Sequence, residues 1–174
     1  MEKVNQLPKT IKLFNFAKRE VKLHGQYKIA NMSRLSEIAR NNNDIVYIDL
    51  SFHLENRKTA CVHGIIKLKL VLDCQRCLED LKIDLNVPFR IAFVSHELEV
   101  NGLDNQYEIY IIGENEELET IDLITDEILL SIPMAPSHNF ACGFKAELNK
   151  VSEEKQKHPF DVLKKIKIAD LGKE

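Results

Sequence analysis

Three runs of alternating apolar and polar residues dominate the middle of the chain. In the first, Val46, Ile48, Leu50, Phe52 and Leu54 alternate with Tyr47, Asp49, Ser51, His53 and Glu55. In the second, Val62, Gly64, Ile66, Leu68, Leu70 and Leu72 alternate with His63, Ile65, Lys67, Lys69 and Val71. In the third, Leu81, Ile83, Leu85, Val87, Phe89, Ile91 and Phe93 alternate with Lys82, Asp84, Asn86, Pro88, Arg90 and Ala92. Each predicts a strand with one buried and one wet face. The joins, residues 55–59 and 73–80, are short enough to predict antiparallel neighbours. A fourth strand is expected at residues 107–112, after the turn-like residues 101–105.

Helical spacing appears on either side of these runs. Met32, Leu35, Ile38 and Ala39 predict a helix with Asn31 as its cap. Ile121, Ile124, Ile128 and Leu129 predict another, starting near Thr120 or Asp122 and stopped by Pro133. Carboxylates at its start suit the helix dipole. A short last helix is expected from Pro159, with Phe160, Leu163 and Ile166 on one face. The fold class is α+β: an antiparallel sheet, open or curled toward a barrel, with flanking short helices. Residues 1–174 read as a single domain. Within it, 1–43 form a strand/helix segment, 44–144 the sheet with the acidic helix, and 145–174 a polar linker with the short C-terminal helix.

The apolar share of 44% is enough for a core without metal or disulfide help. No apolar run reaches the roughly 18 residues of a membrane span. The start, MEKVNQLPKTIK, lacks the apolar core of a signal peptide. A cytoplasmic location is therefore expected, where the four cysteines are thiols, metal ligands or redox groups. The net charge of −3 excludes a uniformly basic nucleic-acid coat. That small value hides a division. Residues 1–90 carry 16 basic and 10 acidic side chains, residues 91–144 carry 11 acidic and no basic ones, and residues 145–174 carry 8 basic and 6 acidic ones. The acidic stretch is a solvated face, a surface for a basic partner or a cover for the chain's own basic part, and it repels phosphates.

Cys74, Gln75, Arg76 and Cys77 form a C-x-x-C where the second strand turns into the third. Such a turn can aim two thiolates at one ion, and His138 with Cys142 could complete a Cys3His zinc site. Two other readings stay open: half-buried thiols that only pack, and a redox dithiol. Cys61 and His63 lie off the apolar parity of their strand, where exposed or locally satisfied side chains are expected, and no chemistry is assigned to them. There is no G-x-S-x-G elbow and no Gly-rich phosphate loop. Asp122, Asp126 and Glu127 do not define a general acid and base, so no catalytic residue and no small-molecule substrate are expected.

Lys67, Lys69, Lys82 and Arg90 fall on wet strand faces, with Arg76 on the turn between them. Together they suggest a modest basic strip for RNA. Tyr47 is the aromatic residue clearly placed on a wet face for stacking. Lys164, Lys165 and Lys167 form a second basic cluster near the end. Asp122, Asp126 and Glu127 are the candidates for contact with a basic protein.

Several blocks now align with one pattern. VLDCQRCLED resembles the C-x-R-C signature of the bacterial YceD family, the large ribosomal RNA subunit accumulation proteins. ETIDLITDEILLSIPMAPSHNFAC resembles that family's second block. HPFDVLKKIK is similar to its closing N-P-F-x-x-L segment, with His158 where Asn is usual. The matching positions are Cys74, Arg76, Cys77, Asp122, Asp126, Glu127, Pro133, Pro136, His138 and Cys142. The resemblance implies a cytosolic, non-enzymatic factor supporting synthesis, processing or stability of 23S rRNA. Its implied partners are that RNA, its precursor particle or a ribosomal protein, with no membrane. More distant members lack some of the cysteines, so the resemblance does not make a metal the family's shared mechanism. Two alternatives remain: a metal-assisted nuclease in rRNA processing, and a zinc-stabilised interaction module unrelated to ribosomes.

Overall fold

The three alternating runs become three neighbouring strands in the computed structural model, which describes residues 7–96, 102–113 and 117–142. They are β3 (Ile45–Glu55), β4 (Thr59–Asp73) and β5 (Asp80–Val94). Each pairs antiparallel with the next, as the short joins require. Val46, Ile48, Leu50 and Phe52 are buried on one face, as are Val62, Ile66, Leu68, Leu70 and Leu72 on β4. Burying each such side chain contributes about 1.5–3 kcal/mol. That reward fixes the register, because a slip of one residue would turn every one of them to water.

Gly64 shows how tightly that face is packed. It lies opposite Phe89, and any Cβ at this position would collide with the Phe89 ring. The glycine is there for this close approach, not for backbone freedom.

Two N-terminal elements extend the sheet and cover it. β2 (Lys22–Lys28) pairs antiparallel with β3, and α1 (Leu13–Lys18) buries Leu13 and Ala17 against β3 and β4. Phe16 of α1 meets Phe52 edge-on, with ring centroids 5.6 Å apart. A single 3-10 turn, Ile29–Asn31, leads into α2 (Ser33–Ser36). The helix expected here is real but only four residues long, and Asn31 does not cap it; Met32 occupies the cap position without a side-chain bond. The apolar residues of this segment still point inward, with Met32 and Leu35 buried and Ala39 packed against the core.

The fourth expected strand is β6 (Glu108–Ile111), but it runs parallel to β5, at Ile91–Val94. The strand after a hairpin need not continue the meander. The main sheet has the order β2-β3-β4-β5-β6, antiparallel except at that last pair, and it does not close into a barrel. Pro88 fits this arrangement. β6 covers only Ile91–Val94, so Pro88 lies on the unpaired edge of β5, where its missing N–H costs little.

α3 (Thr120–Ser131) packs against β5 and buries Leu123, Ile124 and Ile128. The helix ends before Pro133, as expected. Its first turn is held by the N-terminal segment: the Thr120 hydroxyl donates to the Pro8 carbonyl at 2.6 Å, and the two-residue strands β1 (Thr10–Ile11) and β7 (Leu118–Glu119) pair beside it. The three α-helices of the described residues therefore lie on one face of the sheet. No helix among the described residues is long and apolar enough to cross a membrane. The described residues all fall within one compact unit, 1–143. The linker expected at residues 145–158, the helix expected from Pro159 and the cluster Lys164, Lys165 and Lys167 lie outside the described residues.

Candidate metal centre and open sheet face

The hairpin joining β4 to β5 is a tight turn. Cys74 N–H donates to the Glu79 carbonyl at 3.0 Å, Leu78 N–H donates to the Cys74 carbonyl at 2.8 Å, and Leu78 takes a positive φ of 63°. This folds Cys77 back beside Cys74. The chain leaving α3 then crosses the turn, where Gln75 N–H donates to the Pro136 carbonyl at 2.8 Å. That docking brings in His138 and Cys142 from more than 60 residues away.

The four candidate ligands of the sequence thus meet. The Cys74 and Cys77 Sγ atoms, a ring nitrogen of His138 and the Cys142 Sγ lie within 4.8 Å of one another. Cys74 Sγ is 3.6 Å from Cys142 Sγ, Cys77 Sγ is 3.5 Å from His138 Nδ1, and His138 Nδ1 is 3.3 Å from Cys142 Sγ. A tetrahedral zinc with ordinary bond lengths needs sulfurs about 3.8 Å apart and sulfur–nitrogen separations of about 3.5 Å. The donor set fits. All four cysteines of the chain are free of disulfides.

The surroundings prepare this set for a cation. His138 Nε2–H donates to the Asp80 carbonyl at 3.2 Å, so Nδ1 faces the sulfurs, as a lone pair in the neutral ring and as a donor to Cys142 in the charged one. Burial pushes the Cys74 thiol up, but N–H groups of Arg76, His138 and Cys77 outweigh it and bring Cys74 down to about 5. Cys142 is also held below the usual thiol range: burial opposes this, while hydrogen bonds from His138 and Arg76 produce it. Cys77 is moved up. The Glu79 backbone pulls it down, but burial and its neighbours Cys74 and Cys142 prevail. His138 is raised, chiefly by its bond to Cys142. Four protein ligands would fill a tetrahedral zinc, making it a structural ion that joins the hairpin to the segment after α3.

Arg76 belongs to this assembly. Its guanidinium donates to Cys142 Sγ at 3.2 Å, to the His138 carbonyl at 2.7 Å and to the Phe140 carbonyl. From the other side Arg40 bonds Asp73, reaches Asp80 at 2.8 Å and the Leu78 carbonyl at 3.0 Å, and so ties both ends of the turn. Nothing in the local pattern pointed to Arg40, because its partners are 33 to 40 residues away.

The strand register places Lys67, Lys69, Lys82 and Arg90 on one face, opposite the helices. Tyr47 and Ile65 share that face and are 55% and 43% exposed. A groove of about 670 Å³ lies beside Tyr47, Lys67, Lys69 and Asn86. This face is not wet along its whole length. At the Thr59 end, Tyr107 folds over it, with its hydroxyl 3.0 Å from His53 Nε2 and 3.1 Å from His63 Nε2. Of the two expectations for Cys61, exposed or locally satisfied, the second holds: it is buried with its thiol 3.8 Å from the Thr59 carbonyl, and burial pushes the thiol up to about 11. His63 is half-buried and held below the usual imidazole range, first by burial and then by His53 and Arg90.

The acidic residues named from the sequence lie on α3. Asp122 is exposed, Asp126 is bonded to Arg34, and Glu127 is buried. Burial and the charges of Glu108 and Asp126 raise the Glu127 carboxyl to about 7.

No solved structure matches the chain. The family model described as large ribosomal RNA subunit accumulation protein YceD matches residues 62–167. The large ribosomal RNA subunit accumulation protein YceD of Haemophilus influenzae is 30% identical over 173 residues, covering 96% of this chain and 99% of that protein. The matched region contains both halves of the Cys3His cluster, the open face of β4 and β5, and α3, and on this ground the chain belongs to the YceD family of large ribosomal RNA subunit accumulation proteins.

Proposed function

We propose that this protein is a non-catalytic cytoplasmic factor that promotes accumulation of 23S rRNA by binding that RNA or its precursor particle. The observation that carries the reading, beside family membership, is the uncovered sheet face. Lys67, Lys69, Lys82 and Arg90 supply charge for phosphates, and Tyr47 and Ile65 offer an exposed platform among them. Bases that are unpaired can stack on such a face, as they do on other RNA-binding sheets. Arg76, committed to the Cys3His assembly, acts here as a brace for the hairpin.

Zinc at Cys74, Cys77, His138 and Cys142 has a structural part in this reading. A filled ligand set offers no open position for substrate, which supports a scaffold over a hydrolase. The acidic side, with Asp122, Asp126 and Glu127, is turned toward a basic protein such as a ribosomal protein, since phosphates would be repelled there.

The test is binding of 23S rRNA fragments across a salt series. Binding should weaken steeply with salt, and Lys67→Glu with Lys69→Glu should reduce both affinity and slope. A flat salt response, or an unchanged double variant, would remove direct RNA contact by this face. Cleavage of precursor rRNA that is abolished by Asp122→Ala or Asp126→Ala would replace the reading with a nuclease.

A further inference from the structure

α3 and β6 border a cleft of about 500 Å³ on the helix side of the sheet. Ile91, Leu123 and Leu130 give it apolar walls, yet Glu108, Asp122, Asp126 and Glu127 all line it. Arg34 also lines it, but its charge is already spent on Asp126. Residues 91–144 contain no Lys or Arg, so neither of the elements that form the cleft can supply another cation.

Glu127 is the informative member. It is only 7% exposed, and its side chain has no hydrogen bond or ion pair among the described residues. Its oxygens are not sealed in the core, since no fully buried side-chain oxygen or nitrogen among the described residues is left unsatisfied. They open into the cleft. A carboxylate set among apolar walls without a partner is costly, and its raised proton affinity reflects that cost. An arriving cation would relieve it. The apolar walls suit the methylene stem of a long basic side chain, and the carboxylates suit its head.

The element beside the cleft indicates how such a side chain is delivered. β6 is the outer strand of the sheet, and its Ile109, Tyr110 and Ile111 are exposed. Glu108 and Tyr110 face the cleft side, because they pair with Ile91 and Phe93 of β5. An open strand edge receives an extended polypeptide, whose alternate side chains then point to one face. The other free stretch of this sheet edge, on β5, carries Pro88 and is less suited to such pairing.

We propose that the cleft between α3 and β6 receives an arginine or lysine side chain from an extended basic segment of a partner protein, with Glu127 as its principal counter-charge. This deepens the protein-facing role given above to the acidic side, and rests on it. Glu127 faces Glu108 from β6 and Asp126 from its own helix, with Asp122 also on the lining and Arg34 from α2 held by Asp126. Among the described residues that line the cleft, every charge other than the committed Arg34 is negative.

The test uses the full chain and fluorescein-labelled tetra-arginine, with tetra-aspartate as control. Fluorescence anisotropy should show binding of tetra-arginine alone. Glu127→Gln should weaken it by roughly tenfold and Asp122→Asn by a few-fold, with circular dichroism establishing that both variants fold. Binding should strengthen from pH 6 to pH 8 as Glu127 ionises, and Glu127→Gln should abolish most of that dependence. Lys67→Glu with Lys69→Glu should leave tetra-arginine binding intact, and Glu127→Gln should leave binding of rRNA fragments intact. Equal affinity of wild type and Glu127→Gln, or amide chemical-shift changes confined to residues outside α3 and β6, would overturn the proposal while the RNA assay judges the broader function separately. Competition by an rRNA fragment that is lost in Glu127→Gln would also overturn it, by making the cleft an RNA site.

Discussion

The Cys3His cluster and the Glu127 cleft are both gatherings of titratable groups, and they differ in how completely their members are partnered. Around the sulfurs almost every demand is met. Arg76 caps Cys142, the Asp80 carbonyl holds His138, and backbone N–H groups surround Cys74. Around Glu127 the neighbours are carboxylates, and it has no hydrogen-bonding or charged partner among the described residues. A satisfied buried network rigidifies a fold, whereas an unsatisfied one destabilises it until something binds. The first cluster thus reads as part of the architecture and the second as a place kept for a visitor.

The sharpest way to break this contrast is at the cluster. Protein purified without chelator or His-tag should carry about one zinc per chain, and Cys74→Ser or metal removal should lower the Tm by more than about 10 °C. Elemental analysis without metal, or a Tm unmoved by chelator, would reduce the cluster to packing.

Glu127→Gln should have the opposite sign. The folded carboxyl titrates near 7 and the ordinary value is 4.5. Below the ordinary value both states are protonated and the residue is harmless. As pH rises toward 7 the unfolded chain ionises first, so wild-type stability falls, and above 7 the loss is complete. The variant should therefore gain a few degrees of Tm at pH 8 and almost nothing at pH 4, measured by thermal melts. A variant less stable at pH 8 would mean that Glu127 has a partner.

Smaller effects refine the picture. Arg76→Lys keeps the charge but loses the fork that spans Cys142 and two carbonyls, so a Tm fall of about 3–5 °C is expected, together with faster zinc loss to a chelator. Asp126→Asn breaks an exposed pair with Arg34 and should shift the Tm by less than about 2 °C.

The strands β3 to β5 could be read from the sequence because one face is buried along their whole length, so the alternation is uninterrupted. The Cys3His set was readable for another reason: thiols and imidazole advertise their chemistry at any separation. What stayed hidden depended on other parts of the chain. Cys61 sits on the parity of exposed residues, yet it is buried at the end of the sheet where Tyr107 folds over His63. β6 looks like any short strand, and nothing in its own residues distinguishes parallel from antiparallel pairing. Glu127 resembles a surface carboxylate until α3 is laid against β5. α1 is six residues long, too short for a helical period to stand out, and it forms because the sheet receives Leu13 and Ala17, whereas α2, expected from Met32, Leu35, Ile38 and Ala39, is cut to four residues. Lys67, Lys69, Lys82 and Arg90 were found by strand parity alone, and the register puts them on the same side.

The length of the β4–β5 hairpin sets a scale for the whole molecule. The cysteine turn closes against Asp80, whereas Glu108 of the cleft lies beside Ile91. Eleven residues of extended chain separate these two points, about 35 Å. A single-stranded RNA lying along Lys82, Lys69 and Arg90 and a peptide held at β6 would occupy opposite faces of one stiff ruler. Ligands on opposite faces do not compete for space, and the sheet between them fixes their spacing.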